Sequence, residues 1–350
     1  MRNLRIKNKP SLFILVGLLS LVFLFFIYIY NFSSELTHLY SQAVVTQLGK
    51  SKRNFEKPII LIFVGDIMLD RGVEYMVEEY GNGNFNFPFL KIANYLKNAD
   101  ILFGNLEGPI SDKGQRVGSI YSFQANPKAI EGLVFAGFDI LSVANNHTFD
   151  YGKEAMEDTY LRLRKEGIDY VGGGFSETEA YSPIIREINT SKDSSRDVTK
   201  IAFLAYNNLG SEYWGAKGEN SGIAWLEKRK MEEEIKKAKN QADIVIVSFH
   251  YGEEYYLEST PFQIFISRAA IDAGADLVVG HHPHVVQPIE KYKEKYIAYS
   301  LGNFVFDQGF SEQTMRGLLL KVLVKDNKIK KVSPHEIRIN KFFQPKVIED

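Results

Sequence analysis

From residue 58 onward, unbroken apolar runs alternate with segments that have the spacing of amphipathic helices. Apolar runs of this length are typical of strands that are buried on both faces of a parallel sheet. The predicted strands are PIILIFV (58–64), ADILF (99–103), FDILSVA (138–144), KIAFLAY (200–206), ADIVIVSF (242–249) and ADLVV (275–279). The alternation predicts an α/β domain with right-handed crossovers. From Tyr296 onward the pattern changes to strands alone, which we expect to join the sheets in antiparallel orientation.

The start of the chain has a different pattern. Ser11 to Tyr30 is a run of 20 residues without a charge. As a helix rising about 1.5 Å per residue, it is long enough to cross roughly 30 Å of hydrocarbon. A cleaved signal peptide and a buried core helix are the alternatives, but the apolar part of a signal peptide usually spans only about 7 to 15 residues. The length therefore favours an uncleaved transmembrane anchor.

The flanking charges predict how this anchor is oriented. Residues 1–10 carry four basic side chains, whereas 31–49 contain neither Lys nor Arg. The positive-inside rule then places the N-terminus in the cytoplasm. We expect a cytoplasmic basic tail (1–10), a single transmembrane anchor (11–30) in the cell membrane, a polar stalk (31–57) and an extracytoplasmic domain (58–345).

Composition excludes several classes of protein. The 350 residues include 42 Lys plus Arg, 43 Asp plus Glu and no cysteine. A formal net charge of -1 argues against nucleic-acid binding as the main function. The absence of cysteine removes disulfides, thiol nucleophiles and thiolate metal sites together. Any metal ion must therefore be held by His, Asp, Glu or Asn.

The unusual polar residues come immediately after the apolar runs. They are Asp66, Asn105 to Glu107, Asn145 to His147, His250 and His281 to His284. Each alone fits a helix cap, a turn or a structural hydrogen bond. Five of the seven histidines lie in these segments, however, and the carboxyl ends of parallel strands open onto one edge of a sheet. Together they favour a common site over independent structural roles.

Carboxylate, amide and imidazole groups in one place indicate a divalent cation, with Mn, Zn and Fe all suited to these donors. Two carboxylates, an amide and at least three imidazoles exceed what one tetrahedral ion needs. We therefore expect one or two ions, and a pair would lie about 3.5 to 4 Å apart.

Six motifs occur in a fixed order: GDIMLDR, GNLEGPI, ANNHTFDYG, SFHYGEEY, GHHPHVVQ and SLGNFVFD. Over residues 63–307 they closely resemble the CapA (PgsA) family of bacterial poly-gamma-glutamate capsule synthesis proteins. More distantly, the pattern is similar to the calcineurin-like metallophosphoesterases. That resemblance implies an α/β sandwich of two sheets flanked by helices, with a metal-dependent hydrolase site.

The resemblance also implies a function. It predicts a membrane-attached protein of capsule biosynthesis or export that meets an anionic polymer such as poly-gamma-glutamate and the membrane-bound subunits of a polymer synthase. A non-catalytic subunit that binds the polymer or assists the synthase is the alternative, and a different envelope polymer is a third possibility.

The resemblance assigns roles to individual residues. The implied metal ligands are Asp66, Glu107 as the bridging carboxylate, Asn146, His250, His282 and His284. His147 matches the imidazole that protonates the leaving oxygen, and Asp150 would orient it. In the motif GHHPHVVQ, either His281 or His282 is the ligand that precedes His284. Two departures concern the first metal: Met68 stands where phosphoesterases have His, and Glu107 stands where Asp is usual.

Four further residues are candidates for substrate contact or for support of the ligands. Arg71 is either a fork for a phosphate or carboxylate or a surface arginine. Glu254 is either a partner of His250 or a solvated loop acid. Asn303 and Gln124 either donate hydrogen bonds to a ligand or serve turns and caps.

Overall fold

The computed structural model describes residues 12–51, 57–117, 120–189 and 198–348. The chain divides into two compact units, 1–56 and 57–350. In the first unit, α1 (Leu12–Ser51) is one helix that covers most of the predicted anchor and stalk. The predicted basic tail (1–10), Ser11 and residues 52–56 lie outside the described residues.

One stretch of α1 is long and apolar enough to cross a membrane. It runs from Leu19 to Thr37, and none of it is buried. The apolar stretch thus continues past the predicted end at Tyr30, since Glu35 is the one charge that it contains. This helix is a candidate for a single-pass membrane anchor.

The second unit contains two large mixed sheets and the helices that cover them. Its strands are β1 (Ile59–Ile67), β2 (Ile101–Leu106), β3 (Ile140–Ser142), β4 (Asp169–Val171), β5 (Gly173–Gly174), β6 (Ile184–Asn189), β7 (Val198–Asn207), β8 (Gly222–Ile223), β9 (Ile244–His250), β10 (Leu277–His281), β11 (Ile289–Tyr292), β12 (Lys295–Ala298), β13 (Asn303–Val305), β14 (Arg316–Lys325), β15 (Lys328–Ile339) and β16 (Pro345–Val347). Its helices are α2 (Arg71–Glu79), α3 (Ala93–Leu96), α4 (Ala129–Ala136), α5 (Gly152–Lys165), α6 (Glu177–Tyr181), α7 (Lys228–Lys239) and α8 (Pro261–Ala273).

The first sheet has the strand order β16-β15-β14-β1-β2-β3-β4, and β13 pairs with β1 beside this path. Strands β1 to β4 are parallel, and β14 to β16 add to them in antiparallel orientation. The second sheet has the order β11-β12-β10-β9-β7-β6. Its strands β7, β9, β10 and β12 are parallel, and its edge strands are antiparallel to their neighbours.

The expectation that all strands after Tyr296 are antiparallel additions is right for β14 to β16 and wrong for two strands. Strand β13 is parallel to β1, and β12 is parallel to β10. The cause at β12 is a tight turn at Lys293 and Glu294, which both have positive φ values, 47° and 63°. This turn reverses the chain after β11, so β12 returns in the direction of β10.

The two sheets pack face to face over an apolar core. Phe63 and Phe103 of the first sheet meet Phe203 of the second, and the rings of Phe103 and Phe203 stack at 5.9 Å. A second cluster lies under α2 to α5 and a third under α7 and α8. The central strands are therefore buried on both faces, which is why they form unbroken apolar runs. The predicted α/β sandwich of two sheets flanked by helices is confirmed.

Strands β1 and β13 approach each other closely at two glycines. A Cβ atom on Gly65 would lie 1.8 Å from the carbonyl oxygen of Gly302, so a larger residue does not fit there. The next amide, that of Asp66, donates to the same oxygen at 3.0 Å. This contact holds Asp66 opposite Asn303 and so joins the first and last motifs of the chain.

Candidate active site

The polar segments converge at the carboxyl ends of strands from both sheets, rather than at the edge of a single sheet. Asp66 and Asn105 are paired neighbours on β1 and β2, and His250 and His281 are paired neighbours on β9 and β10. Asp66 Oδ1 lies 3.2 Å from His281 Nδ1 across the two sheets. The site therefore lies at the seam between the sheets.

Asp66 is the most connected carboxylate of the cluster. It is fully buried, and it accepts hydrogen bonds from Asn105 Nδ2 at 2.9 Å and from the His282 amide at 3.1 Å. Burial raises its pKa, but the imidazoles of His281 and His284 outweigh burial and hold the pKa well below its usual value. Asp66 thus brings a fixed negative charge to the seam.

Glu107 lies next to Asp66 and is almost completely buried. Its Oε1 atom is 3.5 Å from His284 Nε2 and 3.7 Å from His147 Nε2. Burial raises the pKa of Glu107 well above its usual value, and the negative charge of Asp66 acts in the same direction. The nearby His284 opposes both effects and favours the charged carboxylate.

The three histidines that the resemblance assigns as ligands have different charge states. Burial and the nearby His282 lower the pKa of His250 well below its usual value. Burial and the nearby His284 lower the pKa of His282 to about 3. Burial also disfavours the charge of His284, but Glu107 and Asp66 outweigh it and raise its pKa to about 9. At neutral pH, His250 and His282 are therefore neutral donors, whereas His284 carries a proton.

Amide groups hold the neutral imidazole of His250 in place. His250 Nε2 lies 2.7 Å from Asn146 Oδ1, and His250 Nδ1 lies 3.3 Å from Asn105 Nδ2. The rings of His250 and His282 are 5.0 Å apart, and those of His282 and His284 are 5.7 Å apart. The fold therefore brings together the side chains of Asn105, Asn146, His250, His282 and His284.

Several buried atoms of the cluster lack a hydrogen-bond partner among the residues that the structure describes. They are Glu107 Oε1, His281 Nε2 and His282 Nδ1. An unpaired buried polar atom is costly, and a cation with oxygen and nitrogen ligands would satisfy such atoms. Asp66, Glu107 and His250 offer ligand atoms within 4.8 Å of one another, as do Glu254, His282 and His284. The residues present therefore fit one or two divalent cations.

His147 and Asp150 form a pair beside this cluster. His147 Nδ1 is 2.7 Å from Asp150 Oδ2, and the same oxygen accepts from the Phe123 amide at 2.8 Å. The His147 ring stacks on Phe123 with 4.1 Å between the centroids. These contacts fix the orientation of the ring and direct Nε2 toward Glu107.

The cluster opens into a cleft of about 480 Å³. Asn146, His147 and His284 contribute to its walls, and the exposed rings of Tyr121 and Phe310 stand at its opening. A volume of this size is typical of ligand-binding clefts.

Arg71 also lines the cleft, but its guanidinium is already engaged. It forms a bidentate ion pair with Asp307 and lies 4.6 Å from the centroid of the Phe123 ring. Its φ of 52° is unusual for a residue with a side chain. Asp307 thus holds the Arg71 guanidinium in the wall of the cleft. The sequence did not predict this contact, because the two residues are far apart along the chain.

Three further residues were predicted to contact a substrate or to support the ligands, and the structure places each of them in a different setting. Asn303 is buried and contacts a predicted ligand, since its Oδ1 lies 3.0 Å from His284 Nδ1. The side chain of Gln124 donates to the Lys113 carbonyl at 2.6 Å and so connects two loop segments. Glu254 lies beside His282 and His284, because one of its carboxylate oxygens is within 4.8 Å of a ring nitrogen of each histidine.

The sequence places Asn105 and Asn145 among the polar segments but predicts no particular role for them in the site. Asn105 links Asp66, Glu107 and His250 through its side-chain amide. Asn145 donates to Asn105 Oδ1 at 3.2 Å and accepts from the His147 amide at 3.1 Å. The available signal was their position, since each follows an apolar run as the predicted ligands do.

Comparison with known proteins gives a consistent family match. The profile of the bacterial capsule synthesis protein PGA_cap family matches residues 60–308. The capsule biosynthesis protein CapA of Bacillus anthracis is 34% identical over 284 residues, which cover 79% of this chain and 66% of that protein. The PGA biosynthesis protein CapA of Bacillus subtilis is 36% identical over 267 residues, which cover 76% and 67%. The matches thus span about two thirds of the length of these relatives.

Solved structures show a weaker likeness. A novel phosphatase from Mycoplasma pneumoniae has a TM-score of 0.48 and 16% identity, covering 81% of this chain and 95% of the phosphatase. A putative 5'-nucleotidase from Staphylococcus aureus has a TM-score of 0.47 and 14% identity, covering 84% and 55%. No function follows from similarities of this degree.

The pKa of His284 predicts how cation binding depends on pH. Below about pH 9 the ion-free protein holds a proton on His284 that a cation must displace. The apparent affinity for Mn²⁺ should therefore rise with pH, by about tenfold per pH unit for each displaced proton. Calorimetric titration of the ion-free protein at pH 6.5 and 7.5, in buffers of different ionisation enthalpy, measures both the affinity and the released protons.

The variant His335→Ala, which alters a histidine on β15 outside the cluster, should keep the same pH dependence. An affinity that does not change over this pH interval, with no proton released, would contradict the charge states described above.

Proposed function

Because the chain belongs to the bacterial capsule synthesis protein PGA_cap family, we propose that its second unit is a metal-dependent hydrolase in a membrane-anchored protein of capsule synthesis or export. The substrate class is an anionic envelope polymer of the poly-gamma-glutamate type, or a phosphoryl or acyl intermediate of its synthesis. The observation that carries this proposal is the His147–Asp150 pair, directed at a buried cluster of carboxylates and imidazoles within one cleft.

The proposed cation ligands are contributed by both sheets. They are Asp66, Glu107, Asn146, His250, His282 and His284. A divalent cation there would supply the positive charge that polarises the phosphoryl or acyl centre under attack. The chain itself supplies a surplus of carboxylates, so an anionic substrate needs this cation in order to bind close to the cluster.

His147 would move the proton of the reaction. Its Nδ1 is held by Asp150, so Nε2 is the atom that faces the cleft and gives a proton to the leaving oxygen. Asp150 holds the ring in one orientation, and stacking on Phe123 keeps the ring from turning away. Positioned proton transfer of this kind contributes about 10² to 10⁴ to a rate.

Arg71 would contact an anionic group of the substrate. Its bidentate pair with Asp307 fixes the plane of the guanidinium at the cleft wall, so little freedom is lost when a carboxylate or phosphate binds. The exposed aromatic rings at the opening offer apolar surface to the polymer backbone.

One observation favours a second candidate, a non-catalytic subunit that binds the polymer or assists a membrane-bound synthase. Met68 occupies the position where the phosphoesterase pattern has a histidine. It is fully buried, and its sulfur accepts from the Asp70 amide at 3.1 Å, so it is part of the structure rather than of the cleft. A protein that only binds would keep the cluster but show no turnover.

The variant His147→Ala separates the two candidates. In assays supplemented with Mn²⁺ or Zn²⁺, on small phosphoesters and on poly-gamma-glutamate, kcat should fall by about 10² to 10⁴. The KM and the amount of bound metal should change little, because His147 is not a proposed ligand.

His335→Ala is the matched control and should retain full turnover. Wild-type turnover that survives His147→Ala would contradict the assigned proton donor. Cation and polymer binding without any wild-type turnover would favour the accessory subunit.

We also propose that the N-terminus is cytoplasmic and that the second unit lies outside the membrane, where it meets the polymer and the synthase. The chain has no cysteine, so a single introduced cysteine is a unique label. In intact cells, a membrane-impermeant maleimide should label Glu219→Cys, which alters an exposed residue, but label Asn3→Cys only after lysis. The opposite pattern of labelling would contradict this orientation.

A further inference from the structure

An exposed acid meets two buried imidazoles at the mouth of the cluster. A carboxylate oxygen of Glu254 and ring nitrogens of His282 and His284 all lie within 4.8 Å of one another. The acid is exposed, whereas the two histidines are 7% and 2% exposed. Ligand atoms of one cation lie at most about 4.4 Å apart, twice the bond length of about 2.2 Å, so a side-chain adjustment of a few tenths of an ångström brings all three within reach of one ion.

The position of Glu254 is determined by the loop that carries it. The amide of Tyr255 donates to the Pro283 carbonyl at 2.8 Å, which ties the loop to the turn between the two histidines. The side chain of Gln287, itself buried, donates to the carbonyls of Tyr256 at 2.8 Å and Glu258 at 3.1 Å. Glu254 is thus held over the cluster by backbone contacts, unlike an acid on a free surface loop.

The histidine turn gives an independent indication of a ligand. His282 Nδ1 is buried and has no hydrogen-bond partner within the ranges that the structure describes. His282 and His284 also have positive φ values, 94° and 56°. Backbone strain of this kind persists where the surrounding structure fixes it, and it frequently accompanies a functional site.

A donor is also missing from the first motif. Met68 contributes no imidazole, so the first-motif position has lost the ligand that the phosphoesterase pattern supplies. Asp66, Glu107 and His284 remain there. A further carboxylate near His284 would restore the number of donors.

We propose that Glu254 is a cation ligand that acts together with His282 and His284 and replaces the donor lost at Met68. This inference rests on the proposed metal-dependent function and deepens it. With Glu254, the cluster offers three carboxylates beside its imidazoles, a set that suits a divalent cation of the Mn or Zn class.

Metal binding by the variant Glu254→Gln tests the inference. The substitution keeps the size of the side chain and removes its charge, and the neighbouring exposed acid gives the matched control Glu253→Gln. The full-length protein in detergent, freed of ions with a chelator, is titrated with MnCl₂ by calorimetry, and bound metal is counted by elemental analysis. Absorption spectra with Co²⁺ report the ligands around the ion.

Glu254→Gln should lose one equivalent of bound Mn²⁺ or weaken its affinity at least tenfold, because loss of even an outer partner of a ligand costs about 10- to 100-fold. Its Co²⁺ spectrum should also differ from that of the wild type. Glu253→Gln should match the wild type in all three measurements. Equal stoichiometry, affinity and spectrum in Glu254→Gln and the wild type would overturn the proposal.

Two further measurements, the unfolding temperature of the ion-free proteins and their turnover, distinguish failure of this inference from failure of the proposed function. Glu254→Gln should unfold at the wild-type temperature when ion-free, since the side chain is exposed. A lower temperature would make Glu254 a structural residue and overturn the proposal. If metal binding depends on Glu254 but the protein shows no turnover, the proposed hydrolase activity is contradicted and Glu254 remains a cation ligand. If turnover needs His147 but not Glu254, only the proposed role of Glu254 is contradicted. A wild type that binds no Mn²⁺ or Co²⁺ would overturn both.

Discussion

The burial of Asp66 at the seam between two sheets is the constraint on which the site depends. Its charge has no access to water, so imidazoles from the second sheet must balance it. Those imidazoles can reach Asp66 because the apolar faces of both sheets pack tightly, with Phe103 stacked on Phe203. The core thus positions the chemistry, and the polar seam in turn requires that the two sheets keep their alignment.

The pairing in the seam is incomplete without an ion. Glu107 Oε1 and His282 Nδ1 remain unpaired in the part of the chain that the structure describes. An unpaired buried polar group costs about 1 to 3 kcal/mol, so a cation that satisfies several of them stabilises the folded chain as well as the site. The metal and the fold are therefore expected to be coupled.

Much of this arrangement could be predicted because the sequence marks both the buried strands and the polar residues that follow them. Strands buried on both faces become unbroken apolar runs, and the residues that follow them are placed by the topology of parallel strands. The direction of β12 was not predictable in this way, since the turn at Lys293 and Glu294 carries no glycine or asparagine to signal its positive φ values. The place of Glu254 depends on a hydrogen bond from Tyr255 to Pro283, which forms only in the tertiary structure.

Anomalous diffraction from crystals grown with Mn²⁺ tests most directly whether the two sheets share a cation. We expect a peak at the seam, within about 2.5 Å of a carboxylate oxygen from the first sheet and an imidazole nitrogen from the second. Asp66 and His284 are the residues expected to flank it. A seam without a peak in crystals that carry Mn²⁺ elsewhere would contradict the assignment of these residues as ligands.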